Sequence, residues 1–302
     1  MTNGLGSAAY QIGVTVQLST RLWPLLVIGV VYLIAMFFGY LPDHLILFPT
    51  RMPIATGGAV RKTVPFEKGE VEIWTAQSRR AQQQGRADIF ILRFYGNADR
   101  ADRWAATEAE MWNDRAVEIW GMNYPGFGSS TGPARLSRIG PAALAAYDEL
   151  KHQAGDRPIV PFGASIGATA ALHVAASRPA GIAGLILHNP APLREMILRQ
   201  FGWWNLWLLA GPVALQIPRN LDSIANARAI RAPAIFLLAE KDEVVAPRFH
   251  RLVVNAYAGE KRVIASHGAY HNDPIQGTAL ADLNDGLGWL LAKVGSPQPP
   301  ER

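Results

Sequence analysis

The segment Gly163-Ala164-Ser165-Ile166-Gly167 has the residue types and spacing of a serine nucleophile. It fits the G-x-S-x-G pattern, which places a serine on a sharp turn between a strand and a helix. A short apolar run precedes it at 157–162, and helix-forming residues follow it at 166–176. Glycines flank the serine because a Cβ in so tight a turn would meet the neighbouring strand or helix. We therefore predict that Ser165 is a nucleophile; the alternative is a glycine-lined turn whose serine only caps the helix.

A nucleophilic serine needs a general base and an acidic residue that orients the base. In a strand-turn-helix architecture of this kind, the acid and then the histidine follow the serine along the chain. The apolar run 232–239, which indicates a buried strand, leads directly into an acidic loop. We predict that Asp242 is the acid. Glu240 and Glu243 remain rivals, and the alternative is a solvated acidic loop without a catalytic role.

The next predicted strand, at 261–265, is followed by a loop that contains two histidines. His271 is the predicted base because it lies deeper in the loop, just before Asn-Asp-Pro and the closing helix. His267 is its rival. The remaining histidines lack this position after a strand and are expected to be packed or surface residues: His44, His152, His173, His188 and His250.

An acyl-transfer site also needs backbone N–H groups that stabilise the developing oxyanion. One donor is expected to be the amide of Ile166, directly after the nucleophile. The other is expected in the loop 95–99, which follows the apolar strand predicted at 88–94. We assign it to the backbone of Asn97. The alternative is an ordinary strand-to-helix turn.

These candidate residues lie at the ends of strands in a chain where predicted strands and helices alternate. Strands are predicted near 71–74, 88–94, 116–123, 159–162, 182–188, 234–238 and 262–265. Helices are predicted near 101–112, 141–152, 166–177, 247–258 and 279–294. This alternation predicts an α/β fold with a mostly parallel sheet, helices on both faces and ligands at the strand carboxyl ends. Apolar residues make up 49% of the 302 residues, which is enough for one large core in a single catalytic domain.

Taken in order, these motifs resemble those of the α/β-hydrolase fold, and within it a branch of membrane-anchored serine hydrolases with a single N-terminal span. The similarity extends from Val64 to Leu291. The segments that carry it are 95–99, 124–132, 163–167, 242–247 and 271–273. Two positions depart from the branch pattern: Tyr95 replaces the usual histidine, and Ala246 lengthens the acid loop by one residue before its proline. The resemblance implies a serine hydrolase with backbone oxyanion donors.

The N-terminal region contains an apolar segment, Leu22 to Leu41, without a charged side chain. Its length matches the hydrocarbon core of a bilayer. We predict an uncleaved N-terminal transmembrane helix, because a secretory signal has a shorter apolar centre and no Ala-x-Ala site follows. The alternative is an apolar helix packed on the domain. Arg21 before the segment and Arg51 after it do not decide which face of the membrane the catalytic domain occupies.

The predicted organisation is an anchor over 1–45, an α/β-hydrolase domain over 46–294 and a disordered tail over 295–302. A cap insertion is expected near 190–230, where such hydrolases commonly cover the active site. Its centre contains Trp203, Trp204 and Trp207, and tryptophan favours membrane–water boundaries. We predict a lid that lines the acyl pocket and contacts lipid, with Tyr95 as a further substrate-site residue. The alternatives are a cap helix packed on the core and a second membrane span.

The formal net charge of +5 comes from scattered basic residues, which favours attraction to anionic lipid over nucleic-acid binding. The chain has no P-loop, and Thr131 stands where a dinucleotide fingerprint after Gly126 would need Gly or Ala. It has no H-E-x-x-H motif and no cysteine. The sequence therefore predicts neither a metal nor an organic cofactor.

The combined interpretation is a membrane-anchored serine hydrolase that cleaves carboxylic esters or thioesters with apolar acyl groups through an acyl-enzyme. Its partners would be a small-molecule or lipid ester and a membrane. Two alternatives stay open. One is a catalytically silent membrane scaffold, which Tyr95 in the oxyanion loop favours, and the other is a serine amidase or peptidase, because amides pass through the same tetrahedral intermediate.

Overall fold

The computed structural model describes residues 22–34, 36, 41–203 and 207–293. The chain divides into two compact units, Met1–Leu41 and Pro42–Arg302. In the first unit, residues 22–34 are helical, and their apolar side chains are largely exposed. No helix among the described residues is both long enough and apolar enough to span a bilayer. The predicted anchor lies partly outside the described ranges. The predicted tail, 295–302, lies wholly outside them.

The second unit contains one eight-stranded sheet. Its strands are β1 (Val60–Phe66), β2 (Gly69–Gln77), β3 (Ile89–Phe94), β4 (Val117–Met122), β5 (Ile159–Ala164), β6 (Leu185–His188), β7 (Ala234–Ala239) and β8 (Lys261–Ser266). The spatial order is β1-β2-β4-β3-β5-β6-β7-β8. The pairings of β2 with β1 and β4 are antiparallel, and every other pairing is parallel. The mostly parallel sheet predicted from the sequence is confirmed.

Helices cover both faces of the sheet. They are α1 (Leu41–Ile46), α2 (Arg79–Gln84), α3 (Ala101–Glu110), α4 (Leu136–Ala154), α5 (Gly167–Ser177), α6 (Leu193–Met196), α7 (Ala210–Leu215), α8 (Ser223–Ala229), α9 (Pro247–Ala256) and α10 (Gly277–Ala292). Side chains that alternate along a strand point to opposite faces. Leu92 accordingly belongs to the core cluster that includes residues of α4 and α5, whereas Ile91 belongs to the cluster that includes residues of α3 and α10.

Strand β1 was not predicted, and its edge position explains the omission. Among the described residues, β1 pairs only with β2. Its first residues are exposed, and it contains Arg61, Lys62 and Pro65. Charged residues and proline are tolerated on an edge strand because one row of backbone groups faces no partner. They also remove the continuous apolar signal that marked the central strands.

The turn between β5 and α5 holds Ser165 in a left-handed conformation, with φ of 52°. Such a conformation is uncommon for a residue with a side chain and is typical of functional turns. A Cβ on Gly163 would lie 2.4 Å from the carbonyl oxygen of Gly167, and one on Gly167 would lie 2.2 Å from the carbonyl oxygen of Phe94. Both glycines are therefore required by the close approach of β3, β5 and α5.

Replacement of Gly163 by alanine should destabilise the fold by about 1–3 kcal/mol, because the new methyl group overlaps backbone atoms that cannot move independently. The measurement is the free energy of unfolding in urea. Gly211→Ala is the matched control, since a Cβ there meets nothing within 4 Å, and alanine in helix α7 should leave stability equal or higher. Equal unfolding midpoints for Gly163→Ala and the wild-type chain would contradict this account.

Candidate active site

The predicted nucleophile lies where β5 ends. Ser165 is half-buried, and its N–H donates to the carbonyl oxygen of His188 at 2.9 Å. Ile166 follows as the residue that precedes helix α5. The amino end of a helix carries partial positive charge from its unpaired N–H groups. Ser165 thus lies between the carboxyl end of β5 and the electropositive amino end of α5.

The predicted acid and base are in direct contact. Nδ1 of His271 lies 2.7 Å from Oδ2 of Asp242. Asp242 follows β7, is 4% exposed, and accepts the N–H groups of Val244 and Val245 on Oδ1 at 2.9 and 2.7 Å. The carboxylate is therefore fixed by its own loop and aimed at the imidazole.

The rival residues occupy other positions. The side chain of His267 is 82% exposed, and its Nδ1 is 3.8 Å from Glu240. Glu240 also accepts the N–H of Gly268, and Glu243 accepts the backbone N–H of His271 at 3.1 Å. Both glutamates thus hold the backbone of the histidine loop, while Asp242 receives the imidazole.

Asp242 keeps its negative charge despite its surroundings. Burial opposes ionisation, but hydrogen bonds from His250, His271 and the amide of Val245 outweigh it, so the pKa of Asp242 is lowered well below its ordinary value. An ionised carboxylate that accepts a hydrogen bond from Nδ1–H leaves Nε2 of His271 available as the proton acceptor.

Asn189 joins the strand ends that carry these groups, and sequence reasoning missed it. Its Nδ2 donates to the carbonyl oxygen of His271 at 3.2 Å, and its Oδ1 accepts the N–H of Ala239 at 2.8 Å. Its backbone has φ of 47°, a left-handed value that asparagine tolerates better than most residues. An asparagine directly after a buried strand and before Pro190 was the available signal.

The loop after β3 lies beside the nucleophile: a Cβ built on Gly96 would be 3.8 Å from Cβ of Ser165. The side chain of Asn97 anchors this loop. Its Oδ1 accepts the N–H of Phe48 at 3.0 Å, and its Nδ2 donates to the carbonyl oxygen of Ile46. The amide side chain thereby ties the loop to the last residue of α1 and to the segment that follows it.

Tyr95, which was expected to be a substrate-site residue, is buried and supports this loop from the interior. Its ring is 2% exposed and its hydroxyl donates to Glu108 at 3.0 Å. Tyr124 donates to the carbonyl oxygen of Tyr95 at 2.7 Å. Burial, with Glu108 nearby, raises the pKa of Tyr95 well above its ordinary value, so the hydroxyl stays protonated. The tyrosine therefore fixes the loop where the resembled branch has a histidine.

Arg93 is a buried cation beneath the site that the sequence analysis did not identify. Its guanidinium forms a bidentate ion pair with Glu108 and lies 4.0 Å from the ring centre of Phe162. Burial first, and then the positive charge of Arg93, lower the pKa of His188 to about 3. His188 is consequently uncharged at neutral pH.

The segment between β6 and β7 forms several short helical pieces, α6 to α8. Within it, Trp203 and Trp207 are 74% and 48% exposed. Trp204 lies outside the described residues.

Among the described residues, no group of three or more His, Asp or Glu side chains is arranged to hold a metal ion.

Comparison with known proteins places this geometry in a family context. Residues 85–218 match the model of a hydrolase family described as serine aminopeptidase, S33. A curated relative, protein bem46 of Schizosaccharomyces pombe, is 25% identical over 191 residues. That alignment covers 62% of this chain and 62% of the relative, so the chain spans less than two thirds of the relative's length.

Solved structures show the same fold. An esterase of Pyrococcus furiosus is similar with a TM-score of 0.58 at 16% identity, over 82% of this chain and 97% of the esterase. A monoacylglycerol lipase of Paleococcus ferrophilus is similar with a TM-score of 0.53 at 17% identity, over 73% of this chain and 98% of the lipase. Together with the sheet order and the sharp turn that carries Ser165, these similarities show that the chain has the α/β-hydrolase fold.

Proposed function

We propose that this chain is a serine hydrolase that cleaves carboxylic esters or thioesters with apolar acyl groups. The observation that carries the proposal is the 2.7 Å contact between buried Asp242 and His271 at the sheet edge where Ser165 occupies its strained turn. A nucleophile, an imidazole and an orienting carboxylate are the three parts of this chemistry. The names of the similar esterase and lipase support ester substrates.

In the proposed reaction, Oγ of Ser165 attacks the carbonyl carbon of the substrate, and Nε2 of His271 accepts the hydroxyl proton. The amides of Ile166 and Asn97 donate to the oxyanion of the tetrahedral intermediate. Collapse of that intermediate breaks the bond to the leaving oxygen or sulfur, which takes the proton from His271. Water then attacks the acyl-enzyme by the same sequence, releases the acid and restores Ser165.

Ser165→Ala should abolish covalent labelling by a fluorophosphonate probe and lower the hydrolysis of short-chain p-nitrophenyl esters by about 10⁴-fold or more, because the variant has no hydroxyl to attack the ester. The measurements are gel fluorescence after labelling and initial rates. Ser177→Ala, at the other end of helix α5, is the matched control and should retain labelling. Persistent labelling of Ser165→Ala, or a wild-type chain that neither labels nor hydrolyses esters, would refute the proposal.

The description of the matched family as an aminopeptidase favours one second candidate, hydrolysis of aminoacyl amides by the same residues. Aminoacyl p-nitroanilides, assayed beside the esters, distinguish the two substrate classes. Recognition of a free α-amino group would need an anionic side chain in the site. Asp242 and Glu243 are already engaged with His271, which favours acyl groups that carry no charge.

We further propose that the cap between β6 and β7 contacts the acyl chain. Trp203, Trp207, Leu208 and Leu215 expose large apolar surfaces on this short segment. Such surfaces are stabilised when an apolar chain covers them. The cap follows directly from β6, whose end contacts both Ser165 and His271.

The double substitution Trp203→Ala with Trp207→Ala should lower kcat/KM for long-chain acyl esters by about tenfold, while short-chain esters change little. A tenfold decrease corresponds to about 1.4 kcal/mol, which is about the free energy of burying two methylene groups of the acyl chain. The measurement is kcat/KM against acyl chain length. Val60→Ala on strand β1 serves as the control, since Val60 is an exposed apolar residue outside the cap. An equal loss for short and long chains would contradict a role in acyl recognition.

We also propose that the N-terminal segment anchors the chain in a membrane. The segment 22–41 has no charged residue, and its described helical part exposes Leu25, Leu26 and Ile28 by more than 60%. An apolar helix without a polar face is stable in hydrocarbon surroundings. A lipid ester substrate would then be present at the same membrane.

Ile28→Lys combined with Val31→Lys should release the full-length chain from membranes on alkaline carbonate extraction, because each lysine near the centre of a span opposes insertion by about 2.5–3.5 kcal/mol. The measurement is the fraction of protein in the membrane pellet. Gln82→Lys with Gln83→Lys, on the exposed side of helix α2, is the control of equal charge and should remain in the pellet. Extraction of the wild-type chain would contradict the anchor.

A further inference from the structure

A second histidine, His250, contacts the acid from helix α9. Its Nε2 lies 3.1 Å from Oδ2 of Asp242, the same oxygen that Nδ1 of His271 contacts at 2.7 Å. The imidazole of His250 is 1% exposed. One carboxylate oxygen therefore lies between two imidazole rings, and only one of them belongs to the mechanism proposed above.

The hydrogen-bond pattern assigns the proton on His250. Its Nδ1 is buried and, within the described part of the chain, has no hydrogen-bond partner. A proton on that nitrogen would lack an acceptor in a place closed to water, which is costly. The pattern therefore favours a ring protonated at Nε2 alone, with this N–H donated to Asp242. Together with the amides of Val244 and Val245, the carboxylate accepts four hydrogen bonds.

The geometry of the acid loop explains why helix α9 places His250 beside Asp242. Asp242 binds the amides of its own loop, so the chain turns back within a few residues and α9 begins at Pro247. The carbonyl oxygen of Ala246, the residue that lengthens this loop, accepts the N–H of Phe249 at 2.7 Å. His250 follows in the first turn of the helix, directly over the carboxylate.

Other titratable and charged groups approach the same place. His271 comes from the loop after β8, and His188 comes from the end of β6, with the charge of Arg93 from β3 acting on it. His188 is uncharged at neutral pH, as described above. Asp242 is the negative group that contacts both imidazoles, and Glu243 from the same loop accepts the backbone N–H of His271.

We propose that His250 is a positioning residue that fixes the carboxylate of Asp242 and, by sharing its Oδ2, limits the basicity of His271. The proposal rests on the proposed function for its kinetic consequence. A donor on Oδ2 draws off part of the negative charge that would otherwise stabilise a protonated His271. His250 contacts neither substrate nor nucleophile in this role and acts through the acid alone.

His250→Leu removes the donor, whereas His250→Gln retains an amide N–H of similar reach. The readout is the rate of fluorophosphonate labelling as a function of pH. In His250→Leu, the rate at neutral pH should fall by about tenfold, the effect of losing one charge-assisted hydrogen bond. The midpoint of the acidic limb should move to higher pH, since His271 holds its proton more strongly. His250→Gln should restore both the rate and the midpoint.

His173→Leu is the matched control, because His173 is a partly buried histidine whose ring contacts Ser177 on helix α5. It should leave the midpoint unchanged. An unchanged midpoint in His250→Leu, or equal effects of the Leu and Gln substitutions, would show that His250 only fills space and would overturn the proposal. Should His250→Leu fail to fold, His250→Asn, whose shorter amide does not reach Oδ2, takes its place.

A measurement without turnover separates this proposal from the hydrolase proposal. The far-downfield proton NMR spectrum of the wild-type chain should contain two imidazole N–H signals, one from His250 and one from His271. His250→Leu should remove one signal and shift the other, and His271→Ala should remove the other. A His271 signal that is unaffected by His250→Leu would overturn the positioning role. If the two signals respond to each other's substitutions but the chain is not labelled by the probe, hydrolase activity would be refuted. The positioning of Asp242 by His250 would then still hold.

Discussion

The hydrogen bonds to the carboxylate of Asp242 are the interaction on which the site depends. Two amides of its own loop hold one oxygen, and two imidazoles share the other. A carboxylate buried to this extent would be destabilised as an anion without such donors. The same bonds fix the turn from β7 into α9 and the position of the histidine loop, so the charge and the geometry of the site have one origin.

Parallel strand order makes this convergence possible. The carboxyl ends of β5, β6, β7 and β8 lie side by side, so residues far apart in sequence meet at one edge. Asn189 reinforces the arrangement, because its side chain joins the ends of β7 and the histidine loop. The serine elbow depends on equally close packing, in which Gly163 and Gly167 leave room for neighbouring backbone.

The interior beneath the loop 95–99 contains several polar groups. Arg93, Glu108 and Tyr95 form a buried network, and Tyr124 adds a hydrogen bond to the backbone of Tyr95. Each of these polar groups has a partner, which is the condition under which a buried network rigidifies a structure. Tyr95, which departs from the branch pattern at this position, is thus part of the support of the loop.

The sequence alone determined the central strands, the order of the motifs and the identity of Ser165, Asp242 and His271 as candidates, because apolar periodicity and short motifs are local signals. It did not predict β1, whose charged edge pattern carries no such signal. It also placed the start of helix α4 near 141, whereas the helix begins at Leu136, whose N–H donates to the side chain of Asp43.

Only the tertiary structure decided which groups act together. The carboxylate that accepts the first N–H of α4 belongs to a residue 93 positions away. The partners of Asn97, Asn189 and Arg93 also lie on other elements. Two contacts with Asp242, that of His271 rather than His267 and that of His250 from helix α9, depend on distances between separate elements. A linear pattern specifies what a residue can donate or accept, but the folded sheet decides which partner lies within reach.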